Sequence, residues 1–237
     1  MNEDPYVIPG TFVLKNRLGL TDMRSLQVAE SERVAIWSRF LRIAPLDGNY
    51  DTNHLKSFHR FLFKDIYDWA GEFRTVNIFK PEPILGGKAT IEYCNHQDIK
   101  PELDRELDSF SSVNFLALAP DRQAEVFAGH LARIWKIHPF REGNTRTAVL
   151  YSLQFADSQG IRIRTQPFFS GSQFLRGALV AASAYYSDPR IGDKSRPEYL
   201  VRFVRDSMVF PQQGIRDRIA AARAQKEGYT AEREWDR

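Results

Sequence analysis

The chain has a single cysteine, Cys94, in 237 residues. A lone thiol closes no internal disulfide and completes no multi-cysteine metal site, so the fold must be held by its core, and a reducing compartment is compatible with that usage. Long apolar runs are missing too. No stretch approaches the ~18 residues needed to cross a bilayer, and the opening Met1-Asn2-Glu3-Asp4 lacks the basic and then apolar pattern of a secretory leader. The expectation is a cytoplasmic protein with no membrane contact. Charge of one sign is scarce as well: 33 basic and 30 acidic residues leave +3, with the positive residues scattered, so nucleic acid is not favoured as a partner. There is no internal repeat and no low-complexity linker. What the chain does have is 43% hydrophobic and 13% aromatic residues, enough for a sizeable core.

Most of the chain reads as helix. Residues 1–20, with Pro5, Pro9, Gly10 and Gly19, read as an irregular arm laid over the core. Leu26, Val34, Trp37 and Leu41 fall at helical spacing between Asp22 and Ile43, and a second helix, capped by Thr52 or Asn53, runs through Leu55, Phe58, Leu62, Ile66 and Trp69 to a stop at Gly71. His54 and His59 on it read as ordinary polar or partly buried helix histidines. The pattern then changes. Phe73 to Phe79 and Ala89 to Tyr93 alternate β-prone with polar residues around Pro81, Pro83, Gly86 and Gly87, which predicts one small β-hairpin with an open edge. Helical spacing resumes at Ile99–Phe110, again after a cap at Asp121 up to Ile137, and once more from Ser172 to Tyr185 and from Pro197 to Met208. Residues 212–237 are rich in Ala, Arg, Glu and Lys and read as a solvated helical tail.

One stretch carries more polar chemistry than a helix connection needs: His138-Pro139-Phe140-Arg141-Glu142-Gly143-Asn144-Thr145-Arg146-Thr147. The following residues, Ala148 to Ala156, are apolar on nearly all sides, which predicts a buried central helix with this loop at its N-terminus. The first N–H groups of such a helix lack intrahelical partners and favour an anion. Gly143 lets the backbone approach a phosphate, Asn144 and Arg146 can add side-chain bonds, and Glu142 can hold Mg²⁺ against the phosphate oxygens. His138, four residues upstream of Glu142, can accept a proton from an attacking hydroxyl. A plainer reading makes His138-Pro139-Phe140 a helix stop and Glu142 with Arg146 an ion pair.

At these residues the sequence resembles the Fic (Fido) family, whose motif is H-P-F-x-[DE]-G-N-G-R-x-x-R. Here it reads H-P-F-R-E-G-N-T-R-T-A-V from His138 to Val149, matching the first seven positions and the first arginine. The segment Asp68 to Ile78 is similar to the region before and within the family's flap. The resemblance implies a mostly α Fic-type bundle around a buried central helix, with the hairpin as flap, over residues 21–190, preceded by the arm 1–20 and followed by an extension 191–237. It implies a protein nucleotidyltransferase that moves AMP or a related nucleotide moiety from ATP or another nucleoside triphosphate to a target hydroxyl. In that role His138 is the base, Glu142 holds Mg²⁺, and Gly143, Asn144, Thr145 and Arg146 meet the phosphates. Arg74, Thr75, Val76, Asn77, Ile78 and Phe79 form the flap on which the target protein docks as an added strand. A catalytically weak nucleotide-binding module, or a transferase using a different phosphate-containing donor, are the alternatives.

Two positions depart from the motif. Thr145 stands in place of a glycine, which the loop accommodates if that residue is helical. Val149 stands where the family's second arginine pairs with an inhibitory glutamate. The inhibitory pattern [ST]-x-x-x-E-[GN] is also absent, since its nearest match, Thr230 to Trp235, fails at the last position. The expectation is a protein without that glutamate switch, with a small inhibitory partner among its candidate partners, and with either weaker contacts to the donor's γ-phosphate or another nucleotide-containing donor.

Overall fold

The protein, seen in a computed structural model, is described over residues 4–82, 85, 91–170, 172–184, 186–188 and 192–209, with backbone alone at 172, 186–188 and 192–194. Among the described residues the helices are α1 (Met23–Ile43), α2 (Thr52–Phe63), α3 (Ile99–Ser111), α4 (Pro120–Ile137), α5 (Asn144–Ser158), α6 (Gln166–Ser170), α7 (Ser172–Ser183) and α8 (Glu198–Ser207). The mostly α expectation holds, and α5 is the central helix. It packs against α1, α2 and α4, while α4, α7 and α8 close on one another beside it. Its burial follows from its composition, because Ala148, Val149, Leu150, Tyr151, Leu153, Phe155 and Ala156 leave no polar stripe to face water. Among the described residues no helix is long and apolar enough to cross a membrane.

Local chemistry explains most helix ends. Asp22 accepts from the Ser25 N–H at 2.7 Å and starts α1. Asp51, rather than Thr52 or Asn53, caps α2 through the His54 N–H at 2.8 Å. α2 also ends earlier than its spacing predicts, at Phe63 and not near Trp69. The N-terminal arm takes the carbonyls that a longer helix would use: the Arg17 N–H donates to Ile66 O at 2.8 Å and its guanidinium to Lys64 O at 3.1 Å. α4 starts at Pro120, so Asp121 lies in its first turn and favours the helix dipole instead of capping it. The arm is irregular as expected, with Tyr6 and Val13 buried and Asp4 paired to Arg141 at 2.8 Å.

The predicted hairpin is not seen among the described residues. No strand is present in 73–82 or 91–95 among the described residues, and Ala89 and Thr90 lie outside them. The first segment is instead tied to the core by Arg74, whose side chain takes the backbone carbonyls of His138, Val76 and Cys94. A two-stranded antiparallel pair forms elsewhere, between Tyr186–Asp188 (β1) and Gly192–Lys194 (β2), where the sequence suggested that α7 continues to Tyr185. The expected tail helix after residue 209, with the Thr230–Trp235 near-match, lies outside the described residues.

Candidate active site

The loop begins where α4 ends. His138 adopts the left-handed conformation (φ 51, ψ 59), a geometry that costs a non-glycine residue about 1–2 kcal/mol. Its surroundings hold it there. The Arg74 Nε donates to the His138 carbonyl at 2.8 Å, the Arg74 N–H donates to Pro139 O at 2.9 Å, and the His138 Nδ1 lies 3.1 Å from Trp135 O. A carbonyl can only accept, so Nδ1 carries the proton and Nε2 keeps a free lone pair. Nε2 is buried with no partner among the described residues. Burial, and then the nearby Lys80 ammonium, pull the imidazole well below its ordinary pKa, so the ring stays neutral at physiological pH. A neutral imidazole with a bare ring nitrogen can accept a proton.

Phe140 anchors the loop, fully buried and stacked on His59 at 3.9 Å with planes 15° apart. His59 is itself fully buried, and its role differs from that of a plain helix histidine. It accepts the Gly71 N–H on Nδ1 at 2.8 Å and donates from Nε2 to the Glu142 carbonyl at 3.0 Å. Burial lowers its pKa to about 3.

Gly143 has φ 81 and caps α5, and a Cβ there would fall 2.3 Å from the Phe63 ring, so both conformation and space require glycine. The first α5 bond runs from the Thr147 N–H to Gly143 O at 3.0 Å, which leaves the N–H groups of Asn144, Thr145 and Arg146 without intrahelical acceptors. Asn144 does not aim its amide at a ligand. Its Nδ2 donates to Phe140 O at 2.7 Å and its Oδ1 accepts the Phe140 N–H at 2.8 Å, so it closes the loop on itself. Thr145 is helical, as the missing glycine demands, and its hydroxyl accepts the Trp135 indole N–H at 2.8 Å. Arg146 pairs with Glu30 of α1 and lies 5.0 Å over the Phe63 ring. It also stands 3.8 Å from Glu142, so the plainer ion-pair reading of the sequence is present within the same geometry.

Glu142 accepts the Gly143 N–H at 2.9 Å on one oxygen and the Lys80 ammonium at 2.9 Å on the other. Although Glu142 is half-buried, which pushes its pKa up, Lys80 and Arg146 hold it well below the usual carboxylate range. Among the described residues no group of three metal-ligating side chains exists. One ionised carboxylate beside an anion-binding helix start fits Mg²⁺, which takes few protein ligands and completes its shell with phosphate and water; the Lys80 ammonium shows that the position accepts positive charge.

The flap residues part company. Arg74 is 2% exposed and bound to backbone carbonyls, so it clamps the loop and is not open to a partner. Thr75 and Asn77 are exposed, with the Thr75 N–H donating to the Tyr6 hydroxyl at 3.0 Å and Asn77 Oδ1 accepting from the His96 N–H at 2.9 Å. Val76 and Ile78 are half-buried, and Phe79 is 63% exposed. The roles of Lys80, Glu30 and His59 escaped the sequence reading because their partners lie far along the chain. Only His59 left a signal, a position on the apolar face of α2 with Leu55, Leu62 and Phe63.

A buried neutral imidazole, an ionised carboxylate and an open helix start on a helical bundle define a class of site, one that can receive an anion beside a proton acceptor. The particular family is shown by comparison with known proteins. Residues 49–156 match the model of the Fic/DOC family. The chain is 34% identical over 151 residues, 63% of its length and 73% of the relative's, to a probable protein adenylyltransferase, y4lH, of Sinorhizobium fredii. It is 29% identical over 221 residues to the protein adenylyltransferase VbhT of Bartonella schoenbuchensis, covering 92% of this chain and 43% of that longer one. Among solved structures, the BepC protein of Bartonella tribocorum with bound AMPPNP superposes with a TM-score of 0.69 at 21% identity, covering 87% of this chain and 97% of that one. The chain belongs to the Fic/DOC family.

Proposed function

We propose that this chain is a protein adenylyltransferase, moving AMP or a related nucleotide moiety from a nucleoside triphosphate to a hydroxyl side chain of a target protein. The observation that carries the reading is the His138 imidazole, protonated on Nδ1 by its bond to Trp135 O and bare on a buried Nε2. Nε2 takes the proton of the target hydroxyl. The hydroxyl oxygen forms a bond to the α-phosphorus while the bond from that phosphorus to the bridging oxygen breaks, and pyrophosphate leaves. The Asn144–Arg146 N–H groups and the Arg146 guanidinium bind the phosphates, and Asn144 keeps the loop in shape for them. Glu142 would hold Mg²⁺, which when bound supplies charge neutralisation on the phosphate chain.

The flap reading narrows to residues 75–79, which lie outside any helix or strand, bend at Thr75 and Val76, and offer a segment where a target chain adds alongside, with the exposed Phe79 as an apolar contact. The catalytic unit spans residues 21–190, with the arm 1–20 over it and 191–237 as an extension whose α8 packs on α4 and α7. A small inhibitory partner has a place to sit. A cavity of about 390 Å³ opens beside the phosphate loop, floored by Val34, Val149 and Phe168 and edged by Arg39, Arg42 and Arg146. Those arginines suit a partner presenting acidic side chains. Co-purification of such a protein with the chain, lost in Ala35→Trp, supports this; retention by that variant overturns it. The cytoplasm is the working compartment we infer, because it supplies nucleoside triphosphate and Mg²⁺.

Incubation with each labelled nucleoside triphosphate and Mg²⁺ tests the function. Transfer of label to the chain or to lysate proteins, abolished in His138→Ala, is expected, and the intact mass of the product identifies the group moved. Label that survives His138→Ala sinks the mechanism, and no label with any donor favours a nucleotide-binding module.

A further inference from the structure

Among the described residues the His138 imidazole makes one hydrogen bond, from Nδ1, and one bond leaves a ring free to tilt about the contact. What remains is held by aromatic packing. The Tyr93 ring stacks on the imidazole with centroids 4.0 Å apart and planes 29° apart, while the Trp135 indole meets it edge-on at 5.6 Å and 84°. Tyr93 is braced in turn. Its hydroxyl donates to Glu82 Oε1 at 3.2 Å, and Glu82, only 1% exposed, is gripped on both oxygens by the Arg176 guanidinium of α7 at 2.7 and 3.2 Å. Burial and the Glu82 charge keep the phenol protonated, so it remains a donor. A buried carboxylate is costly unless its oxygens are satisfied, and here an arginine fork and a phenol satisfy them.

The row Arg176, Glu82, Tyr93, His138 therefore runs from α7, through Glu82 beyond the flap residues and Tyr93 of the second β-prone run, to the reacting imidazole. None of its first three members takes part in the transfer proposed above. We propose that Tyr93 is a positioning residue for the transfer: its ring face fixes the orientation in which the His138 Nε2 lone pair meets the incoming hydroxyl, and the buried Glu82, held by Arg176, fixes Tyr93. This rests on His138 acting as the base. The reason the orientation matters is geometric, because a small misplacement of a catalytic group costs up to about 100-fold in rate while leaving donor binding intact. The charged groups facing the imidazole are Lys80 from the flap segment, Glu142 from its own loop and Arg176 from α7.

The test separates ring face from phenol and position from mere filling. Histidine-selective nitrogen NMR on the nucleotide-free protein reads the His138 tautomer without any need for activity. Wild type is expected to show the Nδ1-protonated form. Tyr93→Leu is expected to mix the two tautomers and to lower kcat about tenfold or more, with KM for the donor within about twofold. Tyr93→Phe, which keeps the stack, is expected to retain the wild-type tautomer and most of kcat. If Tyr93→Leu does not fold, Tyr93→Met fills the same space without a ring face and carries the same expectation. A folded Leu or Met variant with the wild-type tautomer and kcat overturns the proposal, as does a Phe variant as impaired as Leu. Label transfer surviving His138→Ala would instead overturn the base assignment and leave the tautomer result standing, so the two failures are distinguishable.

Discussion

Single residues in the loop do different work from what their types suggest. Asn144 and Thr145 look like phosphate ligands, yet the first closes the loop through Phe140 and the second receives the Trp135 indole. Gly143 is constrained most. With φ 81 and the Phe63 ring 2.3 Å from a would-be Cβ, Gly143→Ala is expected to cost about 1–3 kcal/mol, read as a lowered thermal midpoint, and to impair donor binding as the loop shifts. An unchanged midpoint would contradict this account. Val149 is a buried wall of the arginine-edged cavity. Val149→Arg is expected to tighten nucleoside triphosphate binding in a titration relative to the diphosphate, because it restores a γ-phosphate partner; unchanged affinity and preference would refute the idea that the missing arginine sets donor choice.

Between elements, the loop is held from three sides. α2 reaches it through His59, the segment after Gly71 through Arg74, and α1 through the Glu30–Arg146 pair, which also takes the Tyr67 hydroxyl. His59 bridges two backbone groups that nothing apolar can satisfy. His59→Leu is therefore expected to lose about 2–4 kcal/mol in urea unfolding, since the Gly71 N–H and the Glu142 carbonyl are both left without their partner. A loss below 1 kcal/mol would mean that water reaches them. The same contacts explain why the hairpin expectation failed. Alternation in 73–79 is a real feature of the sequence, but Arg74 spends the segment's anchoring on the active-site loop rather than on a paired strand.

For the whole molecule, burial of neutral imidazoles sets the pH response. His54, His59 and His138 all have folded pKa values below the ordinary 6.5, His59 at about 3. Above 6.5 both folded and unfolded chains leave them neutral and they contribute nothing; below it the unfolded chain binds protons that the folded chain refuses. Each fully buried histidine thus removes about 1.4 kcal/mol per pH unit as pH falls from 6.5 toward its folded value. Glu142, with its lowered pKa, adds a loss in the same direction as pH drops through the ordinary carboxylate value of 4.5. Unfolding free energy is expected to fall steeply between pH 6.5 and 4.5, with a shallower slope in His59→Gln. A flat profile over that window would show that the imidazoles are protonated in the fold.

The sequence alone determined the helical class, the buried central helix and the loop at its start, because those rest on local spacing, an all-apolar run and a dense set of chemically specific residues. It also marked His138, Glu142, Gly143 and Arg146. Tertiary structure decided what each of them can do. Which imidazole nitrogen is free depends on the Trp135 carbonyl one turn back, the ring packs against Tyr93 and Trp135, and which cation faces Glu142 depends on Lys80 in a distant segment. Protonation state and orientation are set by burial and by contacts between residues far apart in the chain, and no local pattern encodes them.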